Sequence, residues 1–179
     1  IPKIFSTGIY DKVSYIDIEY INPSITFSEF IFKNDVKTSE EIIFSVIKKL
    51  NLSIYKKNKL IHSEKKLKKY LQDKVVKKIE TLFPLSDEIE SLYKYKYLVI
   101  NGKSFLNLSF CIDKIISNTK IVTSLSTFND SEIHGDLTLE NILIKGRDFF
   151  LIDPNNENYI SDKIIDYAKL YQSLNSGYE

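Results

Sequence analysis

With 179 residues, 43% of them apolar, and with 12 Tyr and 11 Phe but only 5 Gly, the chain can build one packed globular domain or a large piece of a bigger one, with little room for extended disorder. A net charge of +1 gives no reason to expect a nucleic-acid partner and favours a soluble enzyme or module. The lone Cys111, set in an apolar stretch as a buried thiol would be, rules out a disulfide framework or thiolate metal site, and no apolar run reaches the length of a membrane span, so a cytoplasmic setting is expected.

The predicted elements begin with a strand over 13–21, where large apolar and polar residues alternate until Asn22-Pro23-Ser24 stops them. Ile4-Phe5 is its expected partner across a turn at Gly8. A short helix is expected over 27–32. Thr38-Ser39-Glu40-Glu41 has capping-box spacing and opens a helix whose apolar stripe is Ile42, Ile43, Val46, Ile47 and Leu50. A second helix is expected over 63–83, with Leu67, Leu71, Val75, Ile79 and Leu82 on one side and lysines on the other. Ten of the 24 lysines fall between Lys56 and Lys78; diluted by Glu64, Asp73 and Glu80 and without interleaved aromatics, they read as a solvated face. Pro84 ends that helix, another is expected over 87–97, and Asn101-Gly102-Lys103 turns the chain into a mostly helical stretch over 105–125. The Tyr93-Lys94-Tyr95-Lys96-Tyr97 run fits an edge strand, a helix end or the wall of a substrate site equally well. His62 has no partner at metal-ligand spacing.

From Ile133 the character changes. Ile142-Leu143-Ile144 and Phe149-Phe150-Leu151-Ile152 are β runs joined by Lys145-Gly146-Arg147-Asp148, and a last helix is expected over 162–174. In front of the hairpin stands His134-Gly135-Asp136, with Asn141 five positions after the aspartate and Asp153 at the end of the second run. Phosphoryl transfer to an alcohol needs a carboxylate to accept the hydroxyl proton and hard oxygen ligands for Mg²⁺. The spacing offers both. Asp136 is the expected base on a turn that Gly135 permits, and Asn141 and Asp153 are the expected metal ligands. Burial of Ile142, Leu143, Leu151 and Ile152 is expected to hold them in place.

On these residues the chain resembles the aminoglycoside phosphotransferase and choline kinase superfamily, small-molecule relatives of the protein kinases. His134-Gly135-Asp136-Leu137 through Asn141-Ile142-Leu143 matches the catalytic loop, Ile152-Asp153 the metal-binding carboxylate, and Asp162 with Asp166-Tyr167-Ala168 the pair of acidic positions that follows. The strand ending Ile18-Glu19-Tyr20-Ile21 looks like the hinge, so backbone groups of Glu19 and Ile21 are implied to pair with adenine. The segment 166–174 and the tail Ser176-Gly177-Tyr178-Glu179 are similar to phosphotransferases of bacterial surface-polysaccharide biosynthesis. The resemblance covers about 10–35 and 130–179, and the intervening helices fit only by kind.

The resemblance implies an α+β, protein-kinase-like fold. Residues 1–21 would end an N-terminal-lobe sheet and form the hinge, and 22–179 would be a mostly helical C-terminal lobe with its catalytic loop at 134–153. It implies ATP and Mg²⁺ as cofactors and a small-molecule hydroxyl acceptor such as a sugar or amino alcohol. Protein kinases usually carry Arg where Gly135 stands, and only eight residues separate Asp153 from Asp162, so a long activation segment and a protein acceptor are not expected. In related loops the residue at His134 packs and hydrogen-bonds around the turn, which favours a structural role over catalysis, and Asp162 and Asp166 are expected to brace the loop. The glycine-rich phosphate loop and its Lys–Glu pair have no counterpart here. With no Met anywhere and no signal-peptide layout in Ile1-Pro2-Lys3, the numbered residues are expected to begin inside a longer gene product. The alternatives are a non-catalytic kinase-like binding module and an aminoglycoside-modifying kinase, although the Lys-rich middle does not suit a polycationic acceptor.

Overall fold

Asp11 (φ 48°) and Lys12 (φ 65°) both sit in the left-handed region and turn the chain between β1 (Ile4–Tyr10) and β2 (Val13–Ile18), as a two-residue hairpin loop requires. The structure is a computed structural model describing residues 2–55 and 59–176. The turn expected at Gly8 is not there. Gly8 lies inside β1 opposite Tyr15, where an added Cβ would come within 2.8 Å of the Tyr15 ring, so the glycine makes room for an aromatic. The strand expected to run to Ile21 ends at Ile18, although Glu19 N–H still donates to Lys3 O at 2.7 Å. Asn22-Pro23 is a cis peptide.

The contacts separate the chain into two compact units, Ile1–Asn58 with Ser131–Glu157 and Ser161–Glu179, and Lys59–Asp130 with Asn158–Ile160. The expected 1–21 segment and the 142–151 hairpin fall in the same unit. That first unit continues with β3 (Ile25–Thr26), α1 (Phe27–Lys33) and α2 (Val36–Ser53). The cap of α2 is Asp35, whose carboxylate accepts from Thr38 N–H at 2.9 Å and from the Thr38 hydroxyl at 2.7 Å, so the helix starts earlier than the expected capping box. Those hydrogen bonds, the backbone one foremost, hold the Asp35 carboxyl below its usual range.

Two segments from the far end of the chain close this unit. β8 (Ile142–Lys145) and β9 (Asp148–Leu151) form the expected hairpin about Gly146 (φ 64°), and β3 adds antiparallel to β8, Ile25 opposite Ile144. Along β8 the side chains alternate: Ile142 and Ile144 point into a core shared with Phe27, Val46, Leu50, Leu139 and Leu151, while Leu143 on the other face stays half-buried. Helix α8 (Lys163–Ser176) covers the core through Leu170. Its first turn is held by Asp162, whose Oδ1 accepts from Ile164 N–H at 2.9 Å.

The second unit pairs β4 (Lys59–His62) with β7 (Thr127–Asp130). The helix expected over 63–83 is α3 (Glu64–Leu71), a π turn over Gln72–Val76 and α4 (Lys77–Glu80). Apolar residues four apart overshoot a 3.6-residue turn by about 40° each step, and the wider π turn takes back part of that drift, keeping Leu71, Val75 and Ile79 half-buried. Of the lysine run, Lys56 and Lys57 lie outside the described residues, and Lys65, Lys68, Lys69, Lys77 and Lys78 face solvent. Lys69 sits over the Tyr159 ring and Lys77 pairs with Asp73.

Further on, α5 (Asp87–Lys94) stops short of Tyr97, which instead opens a hairpin of β5 (Tyr97–Ile100) and β6 (Lys103–Leu106) about Asn101 and Gly102. The Tyr-Lys run is thus partly helix end and partly strand. The expected helix over 105–125 is α6 (Leu108–Ser117) and α7 (Thr119–Leu125), broken at Asn118, whose side chain accepts from Ile121 N–H at 3.2 Å. Asn107 ties these pieces together, donating to the carbonyls of Leu92, Tyr93 and Tyr95. Cys111 is half-buried rather than buried, its thiol 3.6 Å from Leu106 O. The fold is α+β with four small sheets among the described residues. No helix among them is long and apolar enough to cross a membrane.

Candidate active site

The segment from His134 to Asn141 has no regular secondary structure, so its shape depends on what holds it. Gly135 has φ 83°, a conformation that a side chain disfavours. The buried carboxylate of Asp166 accepts from His134 N–H at 2.8 Å and Gly135 N–H at 2.7 Å. Tyr55, also buried, donates its hydroxyl to the same carboxylate at 2.8 Å. Burial, then the adjacent Asp166 charge, pushes the Tyr55 phenol well above its usual range, so it remains a donor. Further along, Leu139 N–H donates to Ser173 Oγ at 2.9 Å. Asp166, Leu170 and Ser173 are spaced i, i+4, i+7, one face of α8, so a single helix face grips the loop at both ends. Tyr55→Phe is expected to lower stability by about 1.5–3 kcal/mol, the range for a hydrogen bond to a charged group, read by urea unfolding; a change under about 0.5 kcal/mol would count against the bond.

Within the loop, Asp136 main-chain O accepts from Thr138 N–H at 2.9 Å and from Asn141 Nδ2 at 2.8 Å. That second bond fixes the Asn141 amide with its nitrogen toward the loop, which leaves Oδ1 as the acceptor end of the amide. Asn141 O in turn accepts from Ile152 N–H at 3.1 Å, so Asn141 lies beside the residue preceding Asp153. His134 Nε2 meets Ile152 O at 2.8 Å; a carbonyl can only accept, so Nε2 carries the proton. The buried Nδ1 has no partner among the described residues. His134 O accepts from Asn155 N–H at 2.8 Å. Backbone and imidazole together stitch 134–141 to 152–155.

Asp153 has φ 54°. Aspartate reaches the left-handed region more readily than most residues, but at a conformational cost, and such strain gathers at ligand-binding positions. Asp153 is exposed and lines a cavity of about 630 Å³ together with Ile16, Ile18, Glu19, Ile21, Leu143 and Ile152. Of the four apolar hairpin residues expected to anchor the site, Ile142 and Leu151 are buried in the core, whereas Leu143 and Ile152 wall this cavity. Glu19 and Ile21 stand at the same opening. Glu19 N–H is taken by Lys3 O, and Ile21 O accepts from Ser24 Oγ at 2.6 Å, while Glu19 C=O and Ile21 N–H have no partner among the described residues.

The structure therefore brings Glu19, Ile21 and Asp153 to one cavity and links Asp136 to Asn141 by a direct hydrogen bond. Asp136 and Asn141 are not among the residues lining the cavity. No cluster of three or more His, Cys, Asp or Glu side chains that could hold a metal occurs among the described residues. Mg²⁺ does not require one, since it commonly takes one or two carboxylates and fills its octahedron with phosphate oxygens and water. The exposed Asp153 carboxylate and the amide oxygen of Asn141 are hard donors, one just after β9 and one just before β8 at the same end of the hairpin, and their chemistry fits that ion.

Sequence reasoning missed Tyr55, Lys169 and Ser173. Ser173, seven residues after Asp166, could have been found from the helical period; Tyr55, 111 residues away, has no local signal. His62, assigned no role, has its Nδ1 3.0 Å from Thr127 Oγ1 across the β4–β7 pair.

Fold and site define an α+β chain in which the end of a hairpin lines an apolar cavity and is bonded to a helix-braced acidic loop. No family model matches the chain, and no match is found among curated proteins or solved structures.

Proposed function

We propose that the chain is the catalytic part of a protein-kinase-like, ATP-dependent phosphotransferase that acts on a hydroxyl of a small metabolite such as a sugar or amino alcohol, with surface-polysaccharide biosynthesis as a setting. The observation that carries this reading is the company Asp153 keeps. A strained aspartate shares one cavity with apolar walls and with the Glu19 C=O and Ile21 N–H, which have no partner among the described residues, and backbone bonds from its neighbours Ile152 and Asn155 join its segment to the loop bearing Asp136 and Asn141.

In this reading Ile16, Ile18, Leu143 and Ile152, which line the cavity, would supply apolar surface to the adenine ring. Glu19 C=O would accept from its amino group and Ile21 N–H would donate to a ring nitrogen. Asp153 and the Asn141 amide oxygen would hold Mg²⁺, whose chemistry when bound is to neutralise charge on the phosphate oxygens. Asp136 accepts the proton of the acceptor hydroxyl as that oxygen bonds to the γ-phosphorus and the bond to the β–γ bridging oxygen breaks, leaving ADP. Because the transition state of such transfers is loose, orientation of the hydroxyl contributes more than base strength. A polycationic antibiotic acceptor is disfavoured by Lys169, whose Nζ lies 2.9 Å from Asp136.

Calorimetric titration with ATP, with and without Mg²⁺, tests the reading without knowledge of the acceptor. The expected result is Mg²⁺-dependent binding by the native chain and loss of the Mg²⁺ enhancement in Asp153→Ala. Absence of binding at millimolar Mg·ATP would overturn the nucleotide assignment, and binding without turnover would turn it into the non-catalytic module.

A further inference from the structure

Helix α8 touches the 134–139 loop at three further points besides its buried Leu170, and one of the three differs in kind. Asp166 and Ser173 hold main-chain N–H groups, at 134, 135 and 139. Lys169, three residues after Asp166 and so on the same face, reaches a side chain instead: its Nζ is 2.9 Å from Asp136 Oδ1. Asp136 Oδ2 has no protein partner among the described residues.

We infer that Lys169 is a positioning residue for Asp136, fixing Oδ1 so that Oδ2 is presented to the acceptor hydroxyl; this rests on the phosphoryl-transfer reading of the loop. The two side chains are 38% and 30% exposed, and pairs this open to water contribute little to stability. The loop backbone is already secured by Asp166 and Ser173, so the ion pair is not needed to hold it. What it removes is rotation of the Asp136 side chain. Lysine suits this task, because its ammonium carries three donors on a flexible stem that can follow the carboxylate without imposing a fork geometry. A carboxylate free to rotate would meet the hydroxyl in productive alignment only part of the time, and small misplacements of a catalytic group cost up to about 100-fold in rate.

The test uses the whole chain with Mg·ATP and water as acceptor, so no metabolite need be known. Lys169→Met is expected to lower hydrolytic turnover by about 10- to 100-fold with KM for ATP within about twofold, and Lys169→Arg to restore it to within about fivefold. In an Asp136→Asn background, Lys169→Met is expected to add less than about twofold, because a residue acting through another loses its effect when that other is gone. Thermal unfolding checks that each variant folds, and Lys169→Gln, which keeps a donor but no charge, serves if the methionine variant does not. Native turnover in Lys169→Met overturns the assignment, as does an equal loss in the Asp136→Asn background, which would place Lys169 directly on the phosphate. If Asp136→Asn itself leaves turnover unchanged, or the native chain hydrolyses no Mg·ATP, the phosphoryl-transfer reading fails first and the role of Lys169 falls with it.

Discussion

Asp166→Ala is expected to cost about 3–5 kcal/mol of folding stability, the range found when one partner of a buried charged network is removed. The carboxylate is fully buried and accepts from Tyr55 Oη, His134 N–H and Gly135 N–H. Alanine would leave three donors buried with no acceptor, each costing roughly 1–3 kcal/mol unless water enters. Against a typical total of about 5–15 kcal/mol, such a loss decides whether the chain folds at growth temperature. Asp166→Asn keeps the shape but replaces one acceptor oxygen with an NH₂ that faces N–H or O–H donors, so its effect should be smaller yet still a large fraction of that of alanine. Urea unfolding followed by circular dichroism measures both. A loss below about 1 kcal/mol for alanine would mean that the carboxylate is not what holds the loop.

Asp136→Asn is expected to lower turnover by about 1,000-fold, within the 10²–10⁴ range of a general base, while nucleotide affinity changes little. The variant is a clean probe because of how the loop is wired. The bonds from Thr138 N–H and Asn141 Nδ2 end on the main-chain carbonyl of Asp136 and not on its carboxylate. The substitution therefore removes the base and the partner of Lys169 without releasing the Asn141 amide. Steady-state turnover with Mg·ATP, paired with a titration for affinity, separates the two effects. Unchanged turnover would remove Asp136 from the chemistry, whereas a parallel loss of affinity would assign it to the nucleotide site.

Features confined to a few residues were readable in advance. The hairpin at 142–151 follows from two β runs joined through Gly146, and the turn before Asp136 from a glycine that the backbone uses at φ 83°. The apolar stripe of α2 places Val46 and Leu50 in the core as its period requires. Misreadings arose where local cues competed. Gly8 carries a turn signal although the paired left-handed residues are Asp11 and Lys12, because glycine signals both a bend and a missing side chain. Thr38 has the spacing of a cap although Asp35, one turn earlier, is the acceptor that the helix uses. Four-residue strands at 59–62 and 127–130 left no usable pattern, since each is stabilised by the other across the sequence and neither by its own composition.

The sequence by itself determined which chemistry-bearing residues exist and their spacing from 134 to 153, because alternation, turn residues and short intervals act within a few positions of one another. Only the tertiary structure decided that Tyr55 reaches Asp166, that Lys169 reaches Asp136, and that Glu19 and Ile21 open onto the cavity beside Asp153. Periodicity records which face of an element is buried but not what covers it, and a hydrogen bond between residues 111 positions apart forms only after the shared core has brought both ends together.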